Sequence, residues 1–250
     1  MGVDVILDRE WPVIKMDGYD IQIISFELER SGFKARFLGM LHFADPEFMR
    51  KRSLALEQQN AVVLLEGTTP ESGEWSEEQI KEREVFAKSF SGLMLRFSGE
   101  NRISDAYLVY DTTSNLCYAD ISYEDAKKYM PALTAPPDFI QRHFDSLEKL
   151  LELLGQKDPL LTSRLSELVC ANNLRRLVID SKLPGTIRKF GDYSGPSHLD
   201  VRDENLMQVA NFFNENGQNV IIPWGAYHAP GIAKHLLDSG WTYVDESVEY

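Results

Sequence analysis

FKARFLGMLHFADPEFMRKRSLALEQQNAVVLLEG, residues 33–67, decides the fold. Its first nine residues are β-rich and run directly into His42. Asp45-Pro46 then supplies a helix N-cap followed by proline at the first helical position, so a helix is expected over about 46–60. Residues 61–65, AVVLL, are a continuous apolar run, the signature of a strand buried on both faces in a parallel sheet. That run stops at Glu66-Gly67, so strand, helix and strand form a crossover unit with polar residues at both strand ends.

Upstream, residues 21–30 (IQIISFELER) alternate apolar and polar side chains. Ser31-Gly32 separates them from the next strand, a two-residue hairpin signal. Downstream the texture changes. Residues 71–84 are acidic and polar, with Ser76 and Gln79 at capping-box spacing, and a helix is expected from about 76 to 97. Residues 106–110 (AYLVY) read as a strand. The pattern over 124–176 is helical, clearest where Leu147, Leu150, Leu151 and Leu154 share one apolar face. Residues 182–200, rich in Gly, Pro and Ser, read as a loop. Sheet logic then returns: a helix from Asp200 to Asn214, a buried strand at 219–223 (NVIIP), a turn over Gly225–His228, a helix from Pro230 to about Leu237, and a last strand over Trp241–Val244.

The expected architecture is α/β: a mixed, mostly parallel sheet of βαβ units with an N-terminal β-hairpin and an inserted helical lobe. One domain spans 1–250, with 71–180 as a helical insertion or cap within it. Hydrophobic residues make up 43% of the chain, enough for a sizeable core. The formal charge of −13 argues against a nucleic-acid partner and against anionic membrane surfaces, both of which require clustered Lys and Arg. Cys117 and Cys170, the only cysteines, have no partner at metal-ligand spacing and read as free thiols of a reducing compartment. The opening MGVDVILDREW lacks the features of a signal peptide, and no run reaches membrane-spanning length, so a cytoplasmic location is expected.

One pattern occurs twice. Gly39-Met40-Leu41-His42 and Gly225-Ala226-Tyr227-His228 each follow a β-rich strand and precede a proline that opens a helix. Glycine lets the backbone turn, and the histidine lands at the carboxyl end of the sheet, where open α/β folds bind ligands. A helix N-terminus nearby is expected to lower the imidazole pKa and favour the neutral form, which can ligate a metal or accept a proton. A single Gly-x-x-His occurs often by chance, and each histidine taken alone reads more often as a structural residue. Glu66 closes a buried strand, where a carboxylate needs a cation, a donor or a metal. Arg202, followed by Asp203, is a candidate partner for Glu66 or for a developing oxyanion.

The segments FLGMLHFADPEF, VVLLEG, VRDENLMQVANFF and PWGAYHAPGIAKHLLDSGW together resemble the TraB/PrgY and Tiki family, which shares a superfamily with haem-binding ChaN-like proteins and erythromycin esterases. The resemblance covers roughly 37–67 and 200–245. It implies that βαβ units bring His42, Glu66 and His228 together, with the family's Arg-Asp pair falling on Arg202 and Asp203. The chain departs from the family in its Leu206-Met207 pair and in lacking the secretion signal or anchor of Tiki proteins.

The leading expectation is a metal-dependent hydrolase, most simply a peptidase. His42, Glu66 and His228 would be its three metal ligands, and His42, Glu66, Arg202 and His228 its catalytic set. The ion would be Mn, Co or Zn, and the substrate a peptide or small molecule. The alternatives are a metal-independent esterase with a histidine base, and a haem- or peptide-binding module of the ChaN-like type. Substrate identity and oligomeric state are not legible in the sequence.

Overall fold

In the computed structural model the described residues are 14–17, 20–41, 43–57, 60–81, 83, 84, 88, 92, 96, 103, 104, 115–129, 137–160, 162 and 198–249. His42, the expected strand at 106–110 and most of the expected 182–200 loop lie outside them. The strands are β1 (Ile14–Asp17), β2 (Asp20–Arg30), β3 (Phe33–Met40), β4 (Phe43–Ala44), β5 (Val62–Leu65), β6 (Ile103–Ser104), β7 (Leu116–Tyr118), β8 (Val220–Gly225) and β9 (Thr242–Glu249). The helices are α1 (Pro46–Glu57), α2 (Tyr123–Tyr129), α3 (Pro137–Gly155), α4 (His198–Glu215) and α5 (Ala229–Asp238). β4 and β6 pair with each other in a small separate sheet.

The main sheet is mixed and seven-stranded, and the protein is α/β. β2 and β3 form the hairpin expected at Ser31-Gly32, with both turn residues at positive φ (56° and 83°), as a tight two-residue turn demands. β9 pairs antiparallel along the other edge of β2, and β1 extends the β3 side by pairing with the first residues of β2. From β3 onward every pairing is parallel: β3 to β8, β8 to β5, β5 to β7. The chain leaves β3, passes through α1, and returns as β5 with β8 lying between the two strands.

Helices cover both faces of the parallel half, which explains the unbroken apolar runs of β5 and β8. On one face Phe37, Leu64, Ile222 and Trp224 pack with Leu206, Met207 and Ala210 of α4 and Ile232 and Leu236 of α5. On the other, Leu38, Val63, Leu65 and Ile221 meet Leu56 of α1. Each such fully buried aliphatic side chain contributes about 1.5–3 kcal/mol. α1 starts where Asp45 accepts the Glu47 N–H at 2.8 Å. The Ser76–Gln79 box forms in both directions, Gln79 N–H to the Ser76 hydroxyl at 3.2 Å and Ser76 N–H to the Gln79 side chain at 2.9 Å. Among the described residues no helix is long and apolar enough to cross a membrane.

Candidate active site

The carboxyl ends of β5, β7 and β8 converge under the N-terminal half of α4, and each delivers a polar side chain there. Glu66 follows β5 on the face that Val62 and Leu64 share, the face that α4 and α5 cover. Gly67 then takes φ +128°, a backbone region open essentially to glycine, and donates its N–H to Asp120 Oδ2 at 3.1 Å. Asp120, two residues beyond β7, also accepts the Ile121 N–H at 2.8 Å. On α4 the buried residues Arg202, Asp203, Leu206, Met207, Ala210 and Asn214 follow helical spacing, so the charged pair is the upper end of a stripe that is otherwise apolar. Asn205 fastens this end of the helix to the Ala119 carbonyl at 3.0 Å.

Arg202 is the hub. Its Nε donates to Asp120 at 2.9 Å (Oδ1) and 3.1 Å (Oδ2), and its Nη2 donates to Asp120 Oδ2 at 2.6 Å and Glu66 Oε1 at 2.8 Å. Nη1 lies 3.2 Å from His228 Nε2. A guanidinium only donates, so in this arrangement Nε2 accepts, and the imidazole proton sits on Nδ1 facing Asp203 Oδ1. The other Glu66 oxygen accepts the Gly225 N–H at 2.6 Å, which ties the second Gly-x-x-His segment to the end of β5. Gly225 closes β8, a single 3-10 turn follows over Ala226–His228, and His228 caps α5. The Trp224 indole forms the floor. It donates to the Leu64 carbonyl at 2.9 Å, meets the His228 ring edge-on at 4.9 Å, and lies 5.4 Å from the Arg202 guanidinium carbon. Asp203 Oδ2 is buried and has no hydrogen-bond partner among the described residues, and it occupies the space that a side chain on Gly231, in the first turn of α5, would take.

Electrostatics follow from this packing. Burial opposes the charge on Arg202, but Glu66 and Asp120 outweigh it and drive the guanidinium pKa up. The helix N-terminus was expected to lower the pKa of His228, and the structure corrects this. Burial does act downward, yet the hydrogen bond and charge of Asp203, aided by Glu66, overcome both burial and the opposing charge of Arg202 and raise it above 6.5. Asp120 and Asp203 are fully buried, His228 is nearly so, and Glu66 retains the largest exposure of the cluster at 18%.

Of the four expected site residues, Glu66, Arg202 and His228 come together, and His42 lies outside the described residues. Asp120 was missed. The signal for it in the sequence is slight: a carboxylate two residues after the short segment LCY. Two of the three expected metal ligands, Glu66 and His228, are among the described residues. His228 Nε2 and Glu66 Oε1 are 3.5 Å apart, but the Nε2 lone pair faces Arg202 Nη1, and the guanidinium already supplies the positive charge between the two. Among the described residues no three His, Cys, Asp or Glu side chains converge as a metal-holding set. The third expected ligand, His42, lies outside the described residues. No protein-family model, curated protein or solved structure matches this chain.

Proposed function

We propose that the chain is a hydrolase of carbonyl compounds (esters, lactones or peptides) with His228 as the general base and Arg202 as the oxyanion donor. One observation carries the proposal: the uninterrupted series Asp203–His228–Arg202–Glu66 at the carboxyl ends of parallel strands. Asp203 holds the Nδ1–H, fixes the tautomer and stabilises the imidazolium that forms when Nε2, once Arg202 Nη1 turns from it to the substrate oxygen, takes a proton from water. Of the five guanidinium N–H groups of Arg202, one on Nη1 has no acceptor among the described residues, which leaves it to stabilise the oxygen of a tetrahedral intermediate. Glu66 anchors both Arg202 and the Gly225 backbone at the solvent side. Glu66 Oε1, 3.5 Å from Nε2, is the carboxylate nearest the proton that Nε2 takes up.

A divalent ion is the second reading, favoured by that same 3.5 Å. Glu66 and His228 would hold the ion, which would supply Lewis-acid polarisation of a carbonyl or of a bound water. Asp203 would then be the carboxylate that orients a ligating histidine. This reading requires Nη1 of Arg202 to leave Nε2. The likeness to the TraB/PrgY and Tiki family belongs to the proposal as well, supported by the proximity of Glu66, Arg202 and His228.

The test is a panel of neutral esters, lactones and short peptides, assayed with excess chelator and again with Mn, Co or Zn. Turnover in chelator, reduced about 10²–10⁴-fold by Asp203→Asn, is the expected result. Turnover that appears only with added metal supports the second reading. Turnover unchanged by Asp203→Asn removes His228 as the base.

A further inference from the structure

Arg202 can present two different surfaces to its neighbours: the Nε–Nη2 edge, which suits a carboxylate side-on, and the Nη1 end. Glu66 alone could take either. What decides between them is Asp120, which engages the Nε–Nη2 edge through three contacts of 2.6–3.1 Å. Asp120 is itself fixed by two backbone N–H groups, those of Gly67 and Ile121, and its side chain is fully buried. The Gly67 contact depends on a backbone conformation that a side chain would strain, so the turn after Glu66 and the orientation of Asp120 are built as one piece.

We propose that Asp120 is the positioning residue of the site, holding Arg202 by its Nε–Nη2 edge so that the Nη1 end faces His228 and the substrate. The inference rests on the hydrolase proposal for its catalytic consequence and on geometry alone for the orientation. Asp120 is fully buried and acts through Arg202. In Asp120→Asn the new amide N–H groups oppose the Arg202 and Gly67 donors, and the guanidinium is free to rotate onto Glu66. A displacement of about 1 Å at a group that stabilises the transition state costs about 10²-fold in rate.

The experiment is a double-mutant cycle of Asp120→Asn and Arg202→Lys, following kcat and KM on the best substrate of the panel, together with the side-chain NMR signals of ¹⁵N-arginine-labelled protein. Asp120→Asn is expected to lower kcat about 10²-fold with KM changed less than about threefold, and to add no further loss in the Arg202→Lys background. The arginine Nε–H signal that Arg202→Lys removes is expected to exchange slowly in the wild type and to lose that protection in Asp120→Asn. Additive losses in kcat, a rise in KM with kcat intact, or a protected Arg202 signal surviving in Asp120→Asn each overturn the proposal. If the wild type hydrolyses nothing in the panel, the hydrolase proposal fails by itself. The arginine signal then decides the orientation: loss of protection in Asp120→Asn supports it and retention overturns it.

Discussion

Gly231→Ala sets two physical effects against each other with opposite signs. Gly231 lies within the first turn of α5, and on helix propensity alone alanine there stabilises by about 1 kcal/mol. The packing says otherwise. A Cβ at this position falls inside the van der Waals surface of Asp203 Oδ2, 2.9 Å from its Cγ and 3.6 Å from its Cβ. Asp203 is fully buried and bonded to His228, so its carboxylate can retreat only by giving up that hydrogen bond or by displacing α5. Overpacking costs about 1–3 kcal/mol, and loss of a hydrogen bond to a charged group about 1.5–3 kcal/mol. Less the gain in helix propensity, a net loss of about 1.5–5 kcal/mol remains. For a chain of this size that is a fall in Tm of roughly 3–20 °C. Thermal and urea unfolding of Gly231→Ala, Asp203→Ala and the double variant measure it. The alanine should be harmful in the wild-type background and neutral or stabilising once the Asp203 side chain is gone. An alanine that stabilises the wild type, or that costs the same in both backgrounds, refutes the placement of Asp203 against α5.

Other consequences of the same geometry can be checked in parallel. The folded-state pKa of His228 is raised, so the stabilisation from its proton is fully present below the ordinary value of 6.5 and is lost as pH climbs through the raised one. The stability gap between wild type and His228→Gln, followed by urea unfolding, should therefore narrow with rising pH, and a gap that widens contradicts the assignment. Gly67→Ala has room for its methyl, the nearest atom being 3.9 Å away, yet it forces φ +128° on an alanine. It should cost about 1–3 kcal/mol in denaturant unfolding, and no loss would mean the turn is not held as described. Trp224→Phe removes the donor to the buried Leu64 carbonyl and should cost about 1–3 kcal/mol, whereas an unchanged unfolding midpoint would show that bond to be unimportant.

Much of the sheet was legible because its signals are local. Ser31-Gly32 specifies a hairpin through its own φ angles, and the AVVLL and NVIIP runs declare strands covered on both faces. Asp45, Ser76 and Gln79 cap helices with bonds that span no more than three residues. β7 was not legible. LCY is three residues long with an exposed–intermediate–exposed pattern, and it becomes a strand only because β5 offers it a parallel edge. Asp120 was lost with it, since its role depends on a partner 82 residues away. The pKa of His228 was expected in the wrong direction for a related reason. The helix N-terminus is visible in the sequence next to His228, whereas Asp203 reaches the ring only through the packing of α4 on α5. Arg202 was one candidate partner for Glu66, because a carboxylate closing a buried apolar run needs a cation, a donor or a metal, and the two are hydrogen-bonded at 2.8 Å.

The central claim is that His228, oriented by Asp203, is the base of a hydrolytic site. The most direct test is the rate at which wild type and His228→Ala hydrolyse the best neutral ester in excess chelator. The expected result is turnover by the wild type that His228→Ala lowers about 10²–10⁴-fold while the variant keeps its folded circular dichroism spectrum. Equal rates for the two proteins, or no turnover by the wild type on any ester, lactone or peptide tried, would contradict it.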